Sequence, residues 1–233
     1  MSLAVGALVA LWLSASIIVV SNDWRVALAA LIGADLSRML LMARYAADGV
    51  AATILPIDLV TTAGVALILV ITGLTLTREL PSEHLDEFAQ MELRRAAREA
   101  HTRRTIFGRR WDGRVIAMGA LVLAALATLL LSRVYPIARE PVVDVAWIFA
   151  LLCGLLVLIT APDALQLGIG LLLLLMSTKL LYFGVAARLQ VLHIGLLALL
   201  SLLLALMVAY LSGLMYGRLR TLELSALFDR ALE

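Results

Sequence analysis

Two ionisable residues three positions apart, Asp35 and Arg38, fall in the middle of a run otherwise apolar enough to lie within a lipid bilayer. On insertion scales a charge at the centre of a membrane helix costs about 2.5–3.5 kcal/mol, so such groups persist where they pair, face other protein or meet water. The i, i+3 spacing puts both on one helical face. Two uses fit. The pair neutralises itself and fixes helix packing, or it supplies a protonatable carboxylate in a hydrated half-channel, with Arg38 governing its charge.

Lys179 is the next candidate for ion movement, about 9 Å from the end of its apolar run at about 1.5 Å per residue. Its long stem suits snorkelling to the interface, which is the expectation here in preference to burial. Asp58, Asp144 and Asp163 stand at the starts of apolar runs, where capping or interface placement is expected. His193 opens the last run and is expected at the interface, and Arg44 with Tyr45 reads as an interfacial anchor. Asp58 and His193 are the weaker candidates for ion movement.

The elements that must hold these groups are membrane helices. About 20 apolar residues cross a bilayer. Seven segments qualify: Leu3–Val20, Trp24–Tyr45, Ile57–Leu76, Val115–Ser132, Val142–Thr160, Leu165–Val185 and Val191–Leu211. Ser21-Asn22-Asp23, Asp48-Gly49, Tyr135-Pro136 and Ala161-Pro162-Asp163 punctuate them as turns. Composition agrees: 63% of the 233 residues are hydrophobic and 15% charged, far from the balance of a soluble domain. The first run has no basic leader or clear cleavage site, and is expected to be a retained span. The single cysteine, Cys153, excludes an internal disulfide and a cysteine-ligated cluster.

The long hydrophilic stretch from Thr77 to Arg114 carries nine arginines. The positive-inside rule places it, and the C-terminus with Arg218 and Arg220, in the cytoplasm of a plasma (inner) membrane, and the N-terminus outside. Arg133 and Arg139 then fall outside, partly balanced by Glu140. Ser82 to Arg104 reads as a helix, acidic at its start and basic at its end, resting on the membrane surface or docking a neighbouring subunit. The net charge of +2 gathers there and implies lipid, not nucleic acid. There is no Gly-rich phosphate cradle, no metal-ligand spacing and no nucleophile elbow, so neither cofactor nor metal is expected.

The chain also carries a candidate internal repeat. Ile32-Gly33-Ala34-Asp35 in the second span falls on Ile169-Gly170-Leu171-Leu172 in the sixth, and the third span then falls on the seventh. The expected architecture is all-α and polytopic, with seven transmembrane helices. A first three-helix unit covers 1–80, a cytoplasmic helix or loop 81–114, a connecting span 115–133, a second unit 142–222 and a cytoplasmic tail 223–233.

These units resemble the small K-type subunit of respiratory complex I and the C subunit of Mrp-type sodium/proton antiporters. The resemblance rests on Ile32-Gly33-Ala34-Asp35, against an Ile-Gly-Leu-Glu pattern, and on Leu55-Pro56-Ile57-Asp58-Leu59-Val60-Thr61-Thr62-Ala63, against Leu-Pro-x-x-Leu-Val-x-Thr-Ala. The seven spans and the tail Leu219–Leu227 are similar to component E of membrane-bound nickel-iron hydrogenases. Here the family's buried Glu is Asp35 in the first unit and Leu172 in the second, and the other membrane Glu of the complex I branch has no clear counterpart.

The resemblance implies a small membrane-arm subunit supporting proton or sodium translocation beside antiporter-like and small helical membrane subunits. Such a chain is not an enzyme alone, and redox centres would belong to its partners. A buried Lys179 would resemble the proton-relaying lysines of the larger subunits, although it matches no motif. Two other classes stay open. A self-contained transporter or channel calls for more polar residues and broken helices; a structural scaffold uses the charges only to pin packing.

Overall fold

The computed structural model describes residues 2–21, 23–45, 50–78, 113–161, 163–186 and 191–219. The helix expected over Ser82–Arg104 and the tail from 220 onward lie outside the described residues. What is described is all-helical, with seven helices long and apolar enough to cross a membrane. They are α1 (Ser2–Val20), α2 (Trp24–Tyr45), α3 (Val50–Arg78), α4 (Gly113–Val134), α5 (Pro141–Thr160), α6 (Ala164–Val185) and α7 (Val191–Leu219). This is a multi-pass membrane protein. Backbone polar groups at bilayer depth need partners within their own segment, which an α-helix provides.

The turns are written in local chemistry. Asp23 caps α2 by accepting from the Arg25 backbone N–H at 3.0 Å, and Asp163 caps α6 by accepting from that of Gln166 at 2.6 Å. The Gln166 side chain then donates to the Ser21 carbonyl at 3.2 Å, which ties the α1–α2 turn to the α5–α6 turn. At the opposite end α5 begins with Pro141, whose missing N–H costs nothing at the first helical position. Asp144, fully buried in the first turn, accepts from the backbone N–H groups of Ile137 and Ala138 and from Trp147 Nε1 at 2.9–3.1 Å. The capping role expected of Asp163 is present, and Asp144 clasps the preceding connection.

The helices form two layers. In each, the middle helix lies between its two neighbours: α2 between α1 and α3, and α6 between α5 and α7. Across the layers α1 faces α5, α2 faces α6 and α3 faces α7, while α4 packs outside against α5 and α1. Burial follows this placement, with 61% of the α6 membrane window inside the protein and 11% of that of α4. Because lipid is as apolar as leucine, close packing rather than hydrophobicity joins such helices. Glycines permit it: a Cβ on Gly154 would meet the Leu174 side chain at 2.9 Å, and one on Gly168 would meet Val208 at 2.3 Å. Trp12 of α1 stacks on Phe149 of α5 with ring centroids 4.2 Å apart.

One boundary differs from expectation and matters for the site. The third helix begins at Val50, not Ile57, and runs through Pro56. Membrane helices keep an internal proline where neighbouring groups and local adjustment satisfy the freed carbonyl. Asp58 therefore sits two turns inside α3 rather than at its cap.

Candidate functional site: a buried charge cluster between two cavities

The centre of the two-layer bundle holds two acids and two bases. Arg38 is wholly buried on α2 and reaches in two directions. Its Nε donates to Asp35 Oδ1 at 2.6 Å, one turn back on the same helix. Its Nη1 donates to Asp58 Oδ2 on α3 at 2.9 Å, with Met42 Sδ at 3.1 Å. Lys179 arrives from α6, its Nζ 3.6 Å from Asp58 Oδ1. That is an ion pair beyond hydrogen-bond length, and the loosest link of the four residues. The charges sum to zero, which is what lets them lie at this depth.

The Thr62 hydroxyl joins the acids. It contacts Asp35 Oδ2 and lies 2.9 Å from the Asp58 backbone carbonyl. A hydroxyl has one proton for two acceptors. With Asp35 ionised both acceptors claim it. With Asp35 protonated, the carboxyl donates to Thr62 and Thr62 donates onward to the Asp58 backbone carbonyl, so the hydroxyl serves both neighbours.

Two cavities flank the cluster along the helix axes. The larger, of about 40 Å³, is lined by Asp35, Thr61, Thr62, Lys179 and Ser201 among apolar residues of α2, α3 and α6. One water needs about 10–15 Å³ on this scale and at least two polar partners, so this space suits a short file of waters. Its other α2 residues, Leu28, Leu31 and Ile32, place it toward the face where α2 and α6 begin, here the near face. The smaller cavity, of about 10 Å³, is lined by Arg38, Met42, Asp58, Lys179, Tyr182, Ile194 and Leu197. It lies toward the far face, where α3, α5 and α7 begin. Among the described residues, Lys179 alone lines both.

The acids differ in access. The Asp35 side chain keeps 19% of its surface open and borders the larger cavity, whereas that of Asp58 keeps 2%. Asp35 is thus the more accessible of the two carboxylates, and Asp58 lies enclosed between Arg38 and Lys179.

Sequence expectations fare unequally. Asp35 and Arg38 do pair on one face. Asp58 is not a cap or interfacial residue: the earlier start of α3 carries it into the centre, 1% exposed. Lys179 does not snorkel, because α6 is a central helix and its Nζ finds Asp58 before any interface. His193 does lie exposed near the start of α7, its ring stacked on Tyr182 with centroids 5.8 Å apart. Thr61, Thr62, Tyr182 and Ser201 were missed as lining groups. The threonines follow Asp58 by one turn, a signal available once Asp58 is recognised as buried. No sequence signal marks Tyr182 or Ser201.

Among the described residues no group of His, Cys, Asp and Glu is arranged to hold a metal. No family model, curated protein or solved structure matches this chain, so the functional reading rests on the geometry of the cluster.

Proposed function

We propose that this chain is a small membrane-arm subunit of a complex I-like, Mrp-like or hydrogenase-like assembly, and that its charge cluster passes protons between the two cavities. The observation that carries the reading is Lys179, which borders both cavities and is held by the loosest contact of the cluster. The two stretches that bear the family resemblance, 32–35 and 55–63, supply Asp35, Asp58, Thr61 and Thr62 to this one site. An ammonium already paired with Asp58 disfavours a metal cation at the cluster, which favours the proton over sodium.

A cycle follows from the geometry. Asp35 takes a proton from water in the larger cavity. Its negative charge is lost, and Arg38 turns its full attraction on Asp58. The pull of Asp58 on Lys179 weakens, since one acid now answers two cations. Lys179 gives its proton to a water on the far side of the cluster and becomes a neutral amine. Still lining the larger cavity, the amine takes the proton from Asp35, and the starting state returns with one proton moved. Partner subunits supply the bias that gives the cycle a direction.

A scaffold reading draws on the same ion pairs, and one experiment separates them. Asp35→Asn keeps shape and removes the titrating group. In the native assembly, proton movement is expected to fall by at least tenfold while the chain still inserts and co-purifies with its partners. Loss of assembly with no transport-specific defect supports the scaffold. Proton flux through the purified chain alone in vesicles would instead make it a self-contained transporter.

A further inference from the structure

The two three-helix layers repeat one another helix by helix. Trp24–Tyr45 and Ala164–Val185 each run 22 residues, with starts 140 positions apart. Val50–Arg78 and Val191–Leu219 each run 29, with starts 141 apart. Asp23 and Asp163, also 140 apart, cap the matched helices α2 and α6. The close approach of Gly33 to Ser14 returns as that of Leu174 to Gly154, within one residue of the same spacing. This register sets Asp35 against Leu175, one turn beyond the Leu172 that the shared Ile-Gly places there. Like helices face like across the layers: α1 lies on α5, α2 on α6 and α3 on α7. A twofold axis along the membrane normal would set α1 against α7 instead. The layers are therefore related by a sideways shift, a head-to-tail relation that does not close on itself.

Burial follows that relation residue by residue. Leu13 is 60% exposed on α1, and its counterpart Cys153 is fully buried on α5. Leu40 is 51% exposed on α2 and Leu180 fully buried on α6; Leu67 is 61% exposed on α3 and Val208 buried on α7. The outer face of the first layer is thus the twin of the face by which the second layer packs on the first. The outer face of the second layer is likewise the twin of the first layer's inner face: Leu199 and Leu203 are exposed where Asp58 and Thr62 are buried. Charge also lets these two outer faces meet. At the inner joint Asp35, Arg38 and Asp58 of one layer meet Lys179 of the other. Their counterparts are Leu175, Thr178 and Leu199 in the second layer and Met39 in the first. A copy of this chain seated there buries no unpaired ion, whereas a partner presenting a lysine would strand it.

We infer that the outer face of α1–α3 receives the outer face of α5–α7 from a second copy of this chain, so that copies stack head to tail in the plane of the membrane. The joint between copies repeats the joint inside each copy, with neutral residues in place of the charge cluster. The connecting helix α4 packs on α5 and α1 and leaves Leu13, Leu40 and Leu67 exposed for the contact.

The tie between Gln166 Nε2 and the Ser21 carbonyl, at 3.2 Å, gives the positions for a test. Their counterparts are Val26, near the start of α2, and Ala161, just past the end of α5, both at the near-face boundary of the membrane. Two differently tagged full-length chains, one with Val26→Cys and one with Ala161→Cys, are made together, and their membranes are treated with bismaleimidoethane. Native Cys153 is fully buried and stays in both. A linked product carrying both tags is expected, in several-fold excess over products carrying one. The double variant Val26→Cys/Ala161→Cys is expected to give trimers and longer ladders. Leu40→Trp in the Val26→Cys chain is expected to lower the yield several-fold, and Leu123→Trp, exposed on α4, to leave it unchanged. Products carrying a single tag would mean twofold pairing and overturn the stack. No linked product would give both faces to lipid or to other subunits, and would overturn it as well. The stack stands apart from the proton cycle: an Asp35→Asn chain that still moves protons removes the cycle and not the cross-link, and a missing cross-link leaves the cycle standing.

Discussion

Arg38 and Asp58 meet at 2.9 Å across α2 and α3, each almost without contact with the protein's surface. Lys179 stands on the other side of the same carboxylate at 3.6 Å. Asp58 is therefore the shared anion of two cations from different halves of the chain, and its removal strands both. The pairings set a clear order among substitutions.

Asp58→Asn leaves the cluster with a net positive charge and is expected to destabilise the chain by about 3–5 kcal/mol, the usual result of removing one partner of a buried pair. Lys179→Met leaves Asp58 held by Arg38 and is expected to cost less, on the order of 1–3 kcal/mol. The double variant is neutral again. Coupling between contacting residues runs at about 0.5–3 kcal/mol, so it is expected to be more stable than the sum of the singles by that margin. Reversible unfolding in mixed micelles reads all four proteins. Strict additivity would mean that Lys179 and Asp58 do not interact.

At Gly168 α6 packs tightly against α7, and an added Cβ would lie 2.3 Å from Val208 Cγ1. Gly168→Ala is expected to cost about 1–3 kcal/mol through overpacking, despite the better helix propensity of alanine. Val208→Ala in the same chain should return most of that loss by removing the obstructing methyls. Gly6 of α1 has open space around it, and Gly6→Ala is expected to be neutral or to stabilise by up to about 1 kcal/mol. Equal effects at Gly6 and Gly168 would count against the described α6–α7 packing.

Asp163 joins capping to pH. Burial pushes its carboxyl above the ordinary carboxylate range, against the downward pull of the backbone N–H groups of Gln166 and Leu165. A carboxyl whose folded pKa is raised binds more protons when folded than when unfolded, so stability falls as pH rises through that window. Between pH 4 and 7 the wild type should therefore lose ground relative to Asp163→Asn, which keeps the cap without the charge. Asp163→Ala removes the cap and is expected to cost about 1 kcal/mol at either pH. A wild type that gains on Asp163→Asn with rising pH would reverse the assignment.

Much of the fold could be read along the chain because a bilayer imposes length and composition on every crossing. Trp24–Tyr45 has the same bounds in sequence and structure. The apolar run counted from Ile57 leaves out the first turns of α3, which begins at Val50 and continues through Pro56, as membrane helices can. That single shift hid Asp58. Asp35 and Arg38 were legible because a local spacing of three fixes their relation. The contact of Lys179 with Asp58 depends on α2, α3 and α6 meeting side by side, and no local pattern encodes which helices become neighbours. Hydropathy could flag Lys179 as out of place, but not the partner that keeps it there.

The cluster's composition also bears on biogenesis. Asp35, Arg38 and Asp58 lie on consecutive helices and leave the ribosome first, two acids against one base. The balancing ammonium comes with α6, after α4 and α5 have been made. A nascent chain halted before that helix carries an uncompensated anion at bilayer depth, and its completion is marked by Lys179 locking onto Asp58.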